Sequence, residues 1–330
     1  MKRHIRRRMT MLGLAAAIPF VTLSGPGLTQ EYPTRAIRLI VAFSAGGPTD
    51  ALARLVAGKL TEKLGQTVLV ENHPGAAGNI GYGLVAKAVP DGYTLAWADP
   101  SITVNASLFK NLPFDVERDF APISAAVRGP TVLVVPQALE AKTVLDLVAL
   151  AKRSPGKLSY GSAGSGTPPH LNAEFFKIAE GLNIVHVPYK GASPAITDLV
   201  AGRIHLMFLN IGSAKGQIDA NALRGLAVSG TERAASLPNV PTFREAGLPL
   251  AELDAGTWWG MIGPAKLPAD VQQKLNRAMR EALNDADLRR RLGAMNVDPT
   301  PTTPEAFGKL IRDERRKWAD VVKRGNVKVE

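Results

Sequence analysis

Short apolar runs alternate with amphipathic runs along most of the chain. AIRLIVAF (36–43), TVLVEN (67–72), TLAWA (94–98), GPTVLVVP (129–136), KLSYGS (157–162), NIVHVPYKG (183–191), IHLMFLN (204–210), LAVSG (226–230) and AGTWWGMIGP (255–264) read as strands. Most are β-branched and bounded by glycine, proline or asparagine, as buried strands are. ALARLVAGKLTEKLG, GYGLVAKAV, KTVLDLVALAKR, NAEFFKIAEG and SPAITDLVAGR space their apolar residues for helices, and three more helices close the chain after Leu267. NLPFDVERDFAPISAAV (111–127) joins the first block to the next.

Strands alternating with helices predict parallel sheets, with a ligand crevice outside the carboxyl ends of the strands. Two of those ends share one plan. SAGGPTD (44–50) and YGSAGSGTPPHL (160–171) each place glycines and hydroxyls between a strand and a helix. Glycine lets the backbone approach a ligand closely, and the first turn of a helix has N–H groups without an intrahelical acceptor, so each turn suits an anion such as a carboxylate. The candidate contacts are Ser44, Ala45, Gly46, Gly47, Thr49 and Asp50 in the first turn, and Ser162, Ala163, Gly164, Gly166, Thr167 and His170 in the second. Other strand ends and turns add Asn79, Asp99, Ser101, Tyr189, Lys190 and Asn210. Asp50 either caps free N–H groups, the preferred role, or meets a ligand amine. His170 either bonds the loop, again preferred, or touches ligand; His186 alternates with Val185 and Val187 and is read as packing. Lys190 either attracts a carboxylate into the cleft or is merely solvated. Tyr82, Trp97, Phe208, Trp258 and Trp259 are liners of the cleft or core.

About 300 residues exceed one comfortable core and predict two domains. The expected division is residues 30–126 and 254–330 in the first and 127–253 in the second, with the chain crossing near Ala126 and Asp254. The first 29 residues read as a signal peptide, MKRHIRRRMT being a basic head on a short apolar run. A Sec signal is preferred over a twin-arginine one. That changes the charge picture: of the formal +11, five charges lie before Thr10, leaving +6 for the mature chain. No basic cluster is interleaved with aromatics, so nucleic acid is not an expected partner. Cysteine is absent, which excludes disulfides and thiolate metal sites.

Several chemistries are not written. There is no GxxxxGK[ST], no dinucleotide glycine order and no G-x-S-x-G: two before Ser162 stands Tyr160, and two before Ser165 stands Ala163. No two of the five histidines have helical ligand spacing, and no Ser–His pair stands at a recognisable spacing, so no metal, cofactor or catalytic residue is expected.

YPTRAIRLIVAFSAGGPTDALAR, ENHPGAAGNIG, AVPDGYTL, LPFDVERDFAPIS, SYGSAGSGTPPHLNAEFF, HVPYKG and LPNVPTFREAGLP, in this order, resemble the substrate-binding receptors of tripartite tricarboxylate transporters, the Bug or TctC type. The resemblance covers nearly all of the mature chain. It implies a class II periplasmic-binding-protein fold, two α/β domains hinged around a cleft, in a monomeric periplasmic protein. It also implies a small carboxylated solute as ligand (a di- or tricarboxylate, an acidic amino acid or an aromatic acid) and a membrane permease or a sensor as partner. In such receptors backbone amides and bridging waters hold the carboxylate, at turns that map here onto 44–50 and 162–167. An exported hydrolase or isomerase on the same scaffold is the alternative.

Overall fold

The computed structural model describes residues 32–250, 253, 256–325 and 327, so the expected signal peptide lies outside the described residues. The chain opens as the pattern predicts: β1 (Ile37–Val41), α1 (Pro48–Leu64) and β2 (Val68–Asn72). A single 3-10 turn then leads to α2 (Asn79–Ala86), β3 (Thr94–Ala98) and α3 (Ser101–Leu108). The next strand, β4 (Phe120–Gly129), takes up much of the stretch read above as a connector. Pro113 and the charged 115–119 interrupt its approach, and its own alternation is weak because seven of its ten residues, FAPISAAVRG, are small or polar.

Pro130 ends β4, and β5 (Thr131–Pro136) starts a different sheet. Then follow α4 (Val144–Arg153), β6 (Ser159–Ser162), α5 (Pro168–Glu180), β7 (Val185–Pro188), α6 (Ala192–Val200), β8 (Met207–Asn210), α7 (Ile211–Asp219) and β9 (Leu223–Val228). β10 (Thr257–Pro264) precedes α8 (Ala269–Leu283), α9 (Ala286–Ala294), the short β11 (Asp298–Pro299) and α10 (Pro304–Gly325). Neither α3 nor α7 is evident in the sequence pattern, each being brief, with small residues interrupting its apolar stripe.

The first sheet has the order β11-β4-β10-β3-β1-β2; β1 lies parallel to β2 and β3, and β10 antiparallel to β3 and β4. The second has the order β8-β5-β9, and β6 and β7 form a parallel pair. β5 is buried on both faces with period 2: Leu133 and Val135 enter a core with Phe176, Phe208 and Phe243, while Val132 and Val134 enter another with Leu199, Met207 and Val240. The first sheet packs Ile40, Ala96, Trp258 and Ile262 with Phe307 and Ile311 of α10. The far end of α10 belongs elsewhere, since Trp318, Val321 and Val322 lie in the core of Leu133 and Phe176. α10 therefore serves both cores.

The two passages between the sheets run side by side. A Cβ at Gly256 (φ +64°) would stand 2.5 Å from the carbonyl oxygen of Gly129, where β4 gives way to β5. Gly260, at a register shift between β10 and β4, is as confined: a Cβ there would stand 2.7 Å from the Ser124 carbonyl oxygen and collide with the Phe307 ring. Gly260→Ala is expected to lower stability by about 2–3 kcal/mol, because a strand backbone cannot yield as a side chain can. A urea midpoint equal to wild type would contradict this packing.

Candidate functional site

A cavity of about 270 Å³ lies against the carboxyl ends of β1, β3, β6, β7 and β8, with Trp259 of β10 closing one side. Five helices start around it. Those of α1, α5, α6 and α7 have no side-chain cap at N-cap residues Gly47, Thr167, Gly191 and Asn210, and the cavity is lined by these turns. α3 differs, because Asp99 Oδ1 accepts the Ser101 N–H at 3.0 Å. The unpaired N–H groups of a first turn carry a partial positive charge, so four such turns on one cavity make it a site for negative charge without a buried cation. Prolines modulate this: Pro48 opens α1, and Pro168 and Pro169 occupy the first two positions of α5, where they offer rings in place of donors.

Of the residues singled out from sequence, Ser44, Ala45, Gly47, Thr49, Asp99, Ala163, Thr167, Lys190 and Asn210 line the cavity. Asn210 Nδ2 is buried with no hydrogen-bond partner, and Lys190 is exposed, with no ion pair among the described residues. The Trp259 indole N–H donates to Thr49 Oγ1 at 3.1 Å, tying the wall of the first sheet to α1. Asp99 is 2 % exposed, and burial raises its carboxyl pKa to about 6 against donors from Ser101 and Tyr82.

The remaining candidates stand behind the wall. Asp50 accepts from the Gly46 N–H at 3.0 Å, Arg54 Nε at 3.0 Å and Asn72 Nδ2 at 2.9 Å. Burial opposes its ionisation, yet these donors hold its pKa below the usual carboxylate value. Asn79 Oδ1 accepts from Asn105 Nδ2 at 2.7 Å, and the Ser101 hydroxyl donates to Asp99 Oδ1 at 2.5 Å. Tyr189 turns its hydroxyl to Asp198 at 2.7 Å, and its pKa rises to about 12 through burial and that carboxylate.

The 163–167 loop is largely satisfied by its own surroundings. Gly164 N–H donates to Ser162 Oγ at 3.1 Å, Gly166 N–H to His170 Nδ1 at 3.1 Å, and the Thr167 hydroxyl to the Gly164 carbonyl at 2.6 Å. Ser162 is fully buried and lies 2.7 Å from His186 Nε2. The absence of a Ser–His pair expected from spacing is thus corrected: 24 residues separate the two along the chain, and the parallel pairing of β6 with β7 brings them together. His186 in turn stacks on Tyr160 (4.7 Å) and lies beside His170 (4.3 Å). Neither Ser162–His186 nor the second such pair, Ser159–His205 at 3.1 Å, lines the cavity.

The sequence reading noted the turn glycine Gly191 beside Lys190 but passed over Ala192, Ser193 and Pro194 after it, Ser213 of α7, Phe43 and the Pro168–Pro169 rings, all of which line the cavity. The turn after β7 had a usable signal, a glycine and small residues between strand and helix. Trp259 was open between liner and core and lines the cavity, whereas Tyr82, Trp97, Phe208 and Trp258 are core. No group of metal-ligating residues exists among the described residues, and no helix among them is long and apolar enough to cross a membrane.

Residues 52–327 match the family described as the tripartite tricarboxylate transporter family receptor. The chain belongs to this family. BugT of Bordetella pertussis is 34% identical over 329 residues, covering 99% of this chain and 100% of BugT. Among solved structures, R. palustris Rpa4515 with adipate superposes with a TM-score of 0.85 at 33% identity, over 91% of this chain and 100% of that one. The periplasmic binding protein BugD gives 0.83 at 31%, with the same coverage. The fold is that of the two-domain α/β periplasmic binding proteins.

Both histidines beneath the second loop are held neutral: burial lowers the pKa of His170 to about 4 and, with His170 alongside, that of His186 to about 3. An unfolded chain takes up these protons near pH 6.5, so stability is full above that value and falls as the pH drops toward 4, at up to about 1.4 kcal/mol per pH unit for each histidine. The melting temperature is expected to fall between pH 7 and 5, and the double variant His170→Gln, His186→Gln to flatten that fall. Equal slopes in both proteins would show that the pair does not titrate as described.

Proposed function

We propose that this receptor is a periplasmic protein that captures one small carboxylated solute between two lobes and delivers it to a membrane permease of the tripartite tricarboxylate type. The observation that carries the reading is the convergence of four helix starts without side-chain caps on one cavity. Adipate in Rpa4515 is in keeping with such a ligand. The solute carboxylate takes the free amides of α1, α6 and α7 and the Asn210 amide, and Lys190 adds long-range attraction. Phe43, Trp259 and the prolines of α5 cover its apolar part. Ser44, Ala45, Gly47, Thr49, Ala163 and Thr167 complete the contacts. The lobes are the two sheets with their helices, articulated at the paired passages by Gly129 and Gly256. Its carriage to the periplasm rests on the basic, apolar N-terminus read from sequence.

An enzymatic reading on this scaffold lacks support from the Ser–His pairs, because neither hydroxyl reaches the cavity. Calorimetry against a panel of di- and tricarboxylates, amino acids and aromatic acids tests the receptor reading. One member should bind with about micromolar affinity, and Asn210→Leu should weaken it about tenfold while leaving the melting temperature within a degree or two. Absence of heat from every acid would sink the reading. Closure makes a separate expectation: saturating solute should reduce the radius of gyration in X-ray scattering, and superimposable curves would argue against a hinged cleft.

A further inference from the structure

One polar group in the cavity does not suit a plain dicarboxylate. Asp99 stands at the end of β3, one pair beyond Ala98–Gly260 and two beyond Val41–Trp97, which puts it level with Trp259 on one neighbouring strand and Phe43 on the other. All three line the cavity. The carboxyl is anchored through one oxygen only. Oδ1 takes the Ser101 N–H at 3.0 Å, the Ser101 hydroxyl at 2.5 Å and the Tyr82 hydroxyl at 3.3 Å. Oδ2 has no hydrogen-bond partner among the described residues and is not sealed off, and Asp99 lines the cavity, so Oδ2 is the oxygen left to meet a ligand.

No cation among the described residues forms an ion pair with Asp99, although it is 2 % exposed. Burial raises its pKa only to about 6, so at neutral pH it is mostly ionised. A buried carboxylate without a counter-charge is costly, and a second carboxylate brought against it is repelled. A ligand ammonium removes both problems with one charge-assisted hydrogen bond. The other cavity groups include donors, such as the helix-start amides and Asn210 Nδ2, hydroxyls and the Phe43 and Trp259 rings, and none of them is a carboxylate. The site thus offers donors to an anion and a single ionised acceptor to a cation.

Resting on the receptor reading above, we propose that the solute is an amino carboxylate whose ammonium group donates to Asp99 Oδ2 while its carboxylate faces the helix starts. Asp99 is then the residue that selects amino acids over their deaminated counterparts.

The test pairs each amino acid with its deaminated acid: L-aspartate with succinate, L-glutamate with glutarate, 4-aminobutyrate with butyrate and 4-aminobenzoate with benzoate. Titration calorimetry on the wild-type protein should find one amino acid bound at least about tenfold more tightly than its partner. Asp99→Asn keeps the Oδ1 acceptor for Ser101, and should erase that preference while leaving the melting temperature close to wild type. The wild-type comparison needs no variant, so a poorly folded Asp99→Asn does not remove the test. Preference for the deaminated acids, or an amino-acid affinity unchanged in a folded Asp99→Asn, overturns the inference and leaves the carboxylate receptor standing. Binding by none of the eight overturns it and counts against the carboxylate reading as well.

Discussion

The convergence on one cavity of four helix starts that have no side-chain cap is the constraint around which this molecule is built. A helix must begin somewhere, and its first N–H groups must be satisfied by a side chain, by water or by a ligand. Here α4 is closed by a Thr143–Asp146 capping box and α9 by Asp285, whereas the four helices on the cavity have no such cap. Sheet order, glycine turns and buried supports all serve to bring those openings to one place. Asp50 illustrates the support. Its carboxylate sits in the first turn of α1 but accepts from Gly46, Arg54 and Asn72, which braces the turn from behind and leaves the cavity side open.

Much of this was legible beforehand, because strand, glycine turn and helix leave a local signature. The SAGGPTD turn and the start of the second loop could be placed on one crevice from their residues alone, as could Asp99 and Asn210 at strand ends. What was not legible depended on contacts distant in sequence. The strand β4 is masked by small and polar residues, and it is recognisable only by its pairing with β10. Ser162 and His186 meet because β6 and β7 are neighbours in register, which no spacing rule conveys. The division of YGSAGSGTPPHL into parts that face the cavity and parts that hold the loop together was equally hidden. Gly164 and Gly166 use their amides internally, while Ala163, Thr167 and the two prolines form the wall.

Histidine and aspartate thereby take opposite roles under the same burial. His170 and His186 stay neutral and act as packing and acceptors beneath the second loop, so neither histidine adds a charge there at neutral pH. Burial raises the Asp99 pKa to about 6, and the hydroxyl and amide donors that crowd one of its oxygens keep it from rising further, so it is mostly ionised at neutral pH. Among the described residues Asp99, at the end of β3, is the one carboxylate on the cavity wall, and donors come from α1 as well as from α6 and α7.

The last helix adds a mechanical element. α10 has 22 residues, a rod of about 33 Å, with Phe307 and Ile311 embedded in one core and Trp318, Val321 and Val322 in the other. Gly129 and Gly256 lie close together where the chain passes between the sheets, whereas α10 joins the same two cores as a packed helix. Any rotation of one sheet against the other would have to twist this rod or slide its indole end within its socket. α10 is thus a third connection between the two cores, placed to resist any hinge motion at the two crossings.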